Sequence, residues 1–182
     1  FLCLVCHQAR SKTYQVKFKM TEIKIRKANN EDAKHLALLN ITCWTQSYRG
    51  LLADEILNNM SLGRMIQDYE FFFNLKHSNK SIYVAELNER IIGFCTYAKI
   101  NNKKSDYEIL ALYVEQSYWR LKIGSKLLNQ VEQRIKRFFT QNLWVSTLKN
   151  NIMAQNFYHS CGFESTSIEK VFRILDFCYP EL

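Results

Sequence analysis

Between residues 107 and 124 the chain reads YEILALYVEQSYWRLKIG, and the order of chemistry in that stretch leaves few architectures open. An apolar, β-rich run ends at Val114 and a short loop carrying Arg120 and Lys122 follows. Gly124 then leads into a segment where Ile123, Leu127, Leu128, Val131 and Ile135 recur at helical spacing. Strand, basic turn and helix start follow one another. The first N–H groups of a helix have no intrahelical acceptor and lie at the positive end of its dipole, so such a turn favours an anion. Taken alone, Arg120, Lys122 and Lys126 also describe a solvated basic turn. The flanking segments decide between the two readings.

Those flanks alternate between strand and helix patterns. Residues 23–26 (IKIR) predict a first strand, and Asn30 ahead of Glu31 and Asp32 is a helix start, with a capping side chain and acids at the positive end of the dipole. Ala33, Leu36, Ala37, Ile41, Trp44 and Tyr48 mark one helical face, Gly50 interrupts it, and a second helical region covers 54–60 and about 62–75. Its aromatic group, Tyr69 with Phe71, Phe72 and Phe73, is too apolar to face water throughout and is expected to pack in the core. Residues 81–87 and 90–100 predict a hairpin around Asn88-Glu89. A buried strand is expected at 143–147, a short helix at 153–160 ended by Gly162, and one or two strands in 164–179. The order βααβββαβαβ predicts a single mixed α/β (α+β) domain with a mostly antiparallel central sheet flanked by helices.

Bulk properties remove several function classes. A chain of 182 residues suits one domain with a real core. Residues 1–19 carry a very short apolar start followed by basic residues, the reverse of a secretory signal. Met20 opens MTEIKIRKANNEDA, which reads as a natural beginning, so 1–19 are expected to be a leader or an added extension and 20–182 the domain. Setting aside Arg10, Lys12, Lys17 and Lys19, with no acid among residues 1–19, leaves 21 basic against 17 acidic residues and takes the net charge from +8 to +4. That excess suits a nucleotide-sized anion and does not require DNA or RNA. No apolar run approaches the ~20 residues of a membrane span. Cys3 and Cys6 are the only close cysteine pair and no histidine cluster completes a zinc site, so no metal is expected. Cys43, Cys95 and Cys161 read as buried thiols of a cytoplasmic protein.

Behind the turn, Asn151, Ala154, Phe157, Tyr158, Gly162 and Phe163 form a complete N-x-x-A-x-x-F-Y-x-x-x-G-F block. With the strand ending at Val114, and with Trp44 ahead of SYRGLL at 47–52, the chain resembles the GNAT superfamily of acyl-CoA-dependent N-acyltransferases over about 23–179. In that family the turn reads [Q/R]-x-x-G-x-[G/A]. Here Trp119 takes the Gln/Arg position and Lys122 the first glycine. Lysine carries a Cβ where glycine would let the backbone approach a pyrophosphate. If the local φ is positive, it costs roughly 1–2 kcal/mol.

The resemblance implies acetyl-CoA as co-substrate and a primary amine, of a small molecule or a peptide, as acceptor. It places the pyrophosphate on Trp119, Arg120, Leu121, Lys122, Ile123, Gly124 and Ser125. The pantetheine arm would run along Leu112, Tyr113 and Val114, beside Asn151, Ala154, Phe157 and Tyr158. Tyr158 would protonate the departing thiolate, and Glu108 would deprotonate the acceptor ammonium or else be a solvent-facing strand carboxylate. Trp44 and Tyr48 would line the acceptor side, though Tyr48 equally extends the first helix's apolar face. Asn151 either bonds the pantetheine or caps the short helix. The alternative from another class is a catalytically weakened GNAT-fold acyl-CoA-binding module. A nucleophilic Cys161 beside His159 is disfavoured, because residues two apart on a helix do not face each other. His35 and His77 stand alone. No nucleic-acid or membrane partner is expected, and the protein is read as a monomer or homodimer.

Overall fold

The computed structural model describes residues 22–75, 78–100, 106–136 and 142–182. Residues 1–19 with Cys3 and Cys6, His77, and residues 101–105 lie outside them. Five strands make one sheet in sequence order: β1 (Lys24–Lys27), β2 (Lys80–Leu87), β3 (Arg90–Lys99), β4 (Tyr107–Val114) and β5 (Leu143–Val145). All neighbours are antiparallel except β4 and β5, which run parallel. A second, two-stranded sheet is the hairpin of β6 (Lys170–Ile174) and β7 (Phe177–Glu181). The mixed, mostly antiparallel sheet is as the sequence predicts.

Helices cover both faces. α4 (Ile123–Ile135) sets Ile123, Leu127, Leu128, Val131 and Ile135 against Ile92, Cys95 and Ile109. On the other face α1 (Ala33–Tyr48) brings Leu36, Leu39 and Cys43 onto Ile82, Val84 and Phe94. The second helical region divides at residues 59–61 into α2 (Asp54–Asn58) and α3 (Leu62–Asn74). Tyr69, Phe72 and Phe73 of α3 pack on the core as expected, whereas Phe71 points to solvent, 68% exposed. A helix that lies on one face cannot bury four aromatics spread over five positions.

Local chemistry explains the boundaries. The cap ahead of α1 is Asn29, one residue earlier than the sequence implies: its side chain accepts from the Glu31 amide, and Asp32 returns a bond to the Asn29 amide at 2.8 Å. That reciprocal pair is a capping box. Asn88 and Glu89 both take positive φ, the conformation a two-residue hairpin requires. The strand expected at 143–147 is shorter, Leu143–Val145, and only half-buried, because Ser146 and Thr147 turn away from β4. Cys161 is also only half-buried, at the end of α5 (Ile152–Ser160), where Gly162 takes φ 89°.

One irregularity shapes the site. The β3–β4 register skips a residue between Thr96↔Ala111 and Tyr97↔Ile109, leaving Leu110 as a bulge that is 44% exposed. The bulge keeps Ile109, Leu112 and Val114 all on the α4 face, and it bends the strand. Pairing with β5 stops at the same place, at Ile109↔Val145. Beyond it β4 and the chain after β5 diverge, and a cleft opens between them.

Candidate active site

The cleft holds about 630 Å³. One wall is β4 from Ile109 to Val114, the opposite wall is the segment from Val145 to Leu148, and α4 and α5 close one end. Trp44, Tyr48 and Phe172 stand at the other.

The β4 wall offers unpaired backbone. The Glu115 amide donates to Ile92 O at 2.9 Å, which fixes the alternation of this antiparallel ladder. Tyr113 therefore spends its backbone groups on β3, while those of Leu112 and Val114 turn to the open edge. Trp119 takes up one of them, its indole N–H donating to Val114 O at 2.7 Å. A tryptophan at that position thus pins the basic loop to the end of β4. What remains is a short strand edge that can pair with an extended ligand.

At the foot of that edge stands the N-terminus of α4. Lys122 is its N-cap residue, with φ 59° and ψ 20°, and no side chain caps the helix. Arg120, two residues earlier, also has φ 63°. Both residues hold the left-handed conformation that glycine adopts freely, so the lysine is strained rather than accommodated. The first turn contains no acid and carries Lys126, an arrangement that repels the dipole's positive end unless an anion sits there. Gly124 serves a packing purpose. A Cβ there would lie 3.0 Å from Phe157 Cζ, so its absence lets α4 and α5 converge at the cleft.

Asn151 is buried and caps α5, its Oδ1 accepting from the Ala154 amide at 3.1 Å. The helix so fixed carries Tyr158 to the junction of the two walls. Tyr158 is buried between Phe157 and Phe163, at ring-centroid distances of 5.2 and 5.5 Å. Burial, with smaller effects of Cys95, Tyr48 and Cys161, holds its phenol well above the ordinary value. Its hydroxyl therefore stays protonated at neutral pH. Tyr48 and Tyr113 meet hydroxyl to hydroxyl at 3.2 Å, and burial raises both.

Of the residues singled out from sequence, Trp44, Tyr48, Leu112, Tyr113, Val114, Trp119, Arg120, Lys122, Ile123, Gly124, Ser125, Asn151, Ala154, Phe157 and Tyr158 all border this one cleft. Leu121 does not; it is 54% exposed beside the loop. Glu108 also lies off the lining, and its Oε1 accepts from Lys170 Nζ at 3.0 Å. Residues outside the sequence expectations complete the wall, among them Ser47, Phe172 and Glu181. The last two come from β6 and β7, whose sequence carries only alternation and so gives no sign of which cleft it faces. Among the described residues no group of three His, Cys, Asp or Glu could hold a metal ion, and no helix is long and apolar enough to cross a membrane.

A cleft with an open strand edge, an uncapped helix start at its foot and an aromatic end has the layout that group transfer between two molecules needs. The signature of the Acetyltransferase (GNAT) family matches residues 46–163. A probable N-acetyltransferase of Mycobacterium tuberculosis is 25% identical over 145 residues, covering 80% of this chain and 82% of the relative. A spermidine N(1)-acetyltransferase of Thermoplasma acidophilum is 25% identical over 146 residues, covering 78% and 88%. The crystal structure of the PaiA N-acetyltransferase of T. acidophilum in complex with coenzyme A superposes with a TM-score of 0.64 at 22% identity, over 88% of this chain and 97% of that one. The chain belongs to the GNAT acetyltransferase family. By that membership it is an N-acetyltransferase.

Proposed function

We propose that this enzyme acetylates the primary amine of a small molecule, by direct attack of the amine on the thioester. The observation that carries the acceptor class is the aromatic end of the cleft. Trp44 lies 5.1 Å from Tyr48 and 6.4 Å from Phe172 between ring centroids. The faces of such rings accept an alkylammonium, and their edges pack on its apolar body. The spermidine acetyltransferase among the relatives supports the same class.

In this reading acetyl-CoA lies along β4. Ile123, Gly124 and Ser125 present helix-start amides to the pyrophosphate, with Lys122 adding charge, and the pantetheine pairs with the open groups of Leu112 and Val114. An amide of that edge stabilises the oxyanion that forms when the amine attacks. Tyr158 then protonates the leaving thiolate. Asn151 acts through α5, holding the tyrosine in place. The whole is one domain over 20–182, working in a reducing cytosol where Cys43, Cys95, Cys161 and Cys178 stay free thiols.

Mixing the protein with acetyl-CoA and a panel of polyamines, aralkylamines and lysine peptides, and following free thiol, tests this directly. Thiol release with a polyamine or aralkylamine, and none beyond background with peptides, is the expected result. Turnover of peptides alone would overturn the small-molecule assignment.

A further inference from the structure

Among the described residues that line the cleft, Glu181 is the only carboxylate. Its backbone is held on both sides. The Lys149 amide donates to Pro180 O at 2.9 Å, Leu182 and Thr147 exchange amide hydrogen bonds at 2.9 and 3.1 Å, and Leu148 bridges Glu181 itself. The side chain is thus presented from a fixed frame, as a reacting group must be.

The groups around it are few. Lys170 is its register partner across the hairpin, but Lys170 Nζ is bonded to Glu108, which leaves Glu181 without an ion pair of its own among the described residues. Tyr48, on the acceptor side, is near enough to feel its charge, as is Glu108. Burial first, offset in part by Lys170 and reinforced by Glu108, raises the Glu181 carboxyl above its ordinary value. A half-buried carboxylate beside an aromatic wall, with no ion pair of its own among the described residues, suits a cation.

We propose that Glu181, rather than the β4 carboxylate Glu108, receives the proton of the acceptor ammonium. The proposal rests on the amine-acetylation reading above. An alkylammonium with a pKa near ~10.4 cannot attack until it loses a proton. Glu181 takes that proton, the freed lone pair forms the N–C bond to the thioester carbonyl, and the C–S bond breaks as the tetrahedral adduct collapses. The sulfur takes the Tyr158 proton. The second proton lost from nitrogen returns to Tyr158, directly or through water, and the proton on Glu181 leaves to solvent.

The test compares Glu181→Gln and Glu108→Gln with wild type in kcat/KM pH profiles, using the best alkylamine of the panel and an α-amine of pKa ~8. In Glu181→Gln the alkylamine kcat/KM is expected to fall about 100-fold near neutral pH. It should then rise with pH toward the amine's own pKa instead of levelling off early. The loss should shrink several-fold with the weaker base, which needs less help to ionise, and Glu181→Asp should restore part of it. Calorimetry with acetyl-CoA on each variant confirms a folded CoA site. A Glu181→Gln enzyme that binds acetyl-CoA and keeps the wild-type profile overturns the proposal, as does a loss confined to Glu108→Gln or equal for both amines. If Glu181→Gln does not fold, the profile of Glu181→Asp decides by the same criteria. A wild type that releases no thiol with any amine would instead remove the underlying reading, and that outcome is visible before any variant is made.

Discussion

Lys122 occupies a backbone conformation that a lysine enters at a cost of roughly 1–2 kcal/mol. Glycine would relieve that strain and return about half of the gain through its greater freedom when unfolded. Lys122→Gly is therefore expected to raise stability by about 0.5–1 kcal/mol, measured by urea denaturation. The strained lysine stands at an uncapped helix start whose first turn carries no acid. Tyr158 is set by burial instead of by backbone conformation. Burial keeps its hydroxyl protonated, so Tyr158→Phe should lower kcat by about 100-fold while leaving acetyl-CoA binding within about twofold. Because the shift is upward from 10.0, the wild-type kcat should show no alkaline loss from this group between pH 7 and 10. A falling limb in that window, absent from Tyr158→Phe, would count against the role.

At the scale of elements, the site depends on two helices meeting at one sheet opening. Gly124 and Phe157 set how closely α4 and α5 approach. Gly124→Ala places a methyl 3.0–3.1 Å from the Phe157 ring, and the ring must give. The expected outcome is a loss of about 1 kcal/mol, with weaker acetyl-CoA binding in calorimetry, and Phe157→Leu on the same background should recover both. The block from Asn151 to Phe163 was legible through its resemblance to the family, and two of its residues also have a local reason for their type: a cap at Asn151 and a helix end at Gly162. The opening itself was not legible. It follows from the bulge at Leu110, and a single extra residue in an apolar run does not announce itself when every neighbour is also apolar. For the same reason β5 reads two residues too long, since Ser146 and Thr147 suit a strand and leave it only because β4 has bent away.

Across the whole molecule, the entrance of α1 is tied to the sheet by Arg26. Its guanidinium donates to both Asp32 oxygens at 2.7 and 2.8 Å and to Glu86 at 2.7 Å, joining β1, β2 and the helix cap. Burial alone would raise the Asp32 carboxyl. The bonds from Arg26 and the Asn29 amide outweigh it and hold the group below its ordinary range. A depressed carboxyl stabilises the fold above its unfolded pKa of ~3.9, and that contribution is lost as pH falls through the range below about 5. Asp32→Asn should therefore cost about 2–4 kcal/mol at pH 7, because it leaves a part-buried arginine short of a partner. By chemical denaturation the gap to wild type should narrow steadily from pH 5 to pH 3.

By itself the sequence determined the order of elements, the mixed sheet and the anion-favouring helix start. Each rests on chemistry between near neighbours in the chain, such as periodicity, caps and turn residues. Only the tertiary structure decided where the walls part, that Lys122 is strained, that Tyr113 spends its backbone on β3, and that Glu108 is engaged with Lys170. It also brought Phe172 and Glu181 into the cleft that Trp44 and Tyr48 line, more than 120 residues away along the chain. Those outcomes depend on how a bent strand and a docked hairpin share space, and local pattern does not encode which side chains meet across a cleft.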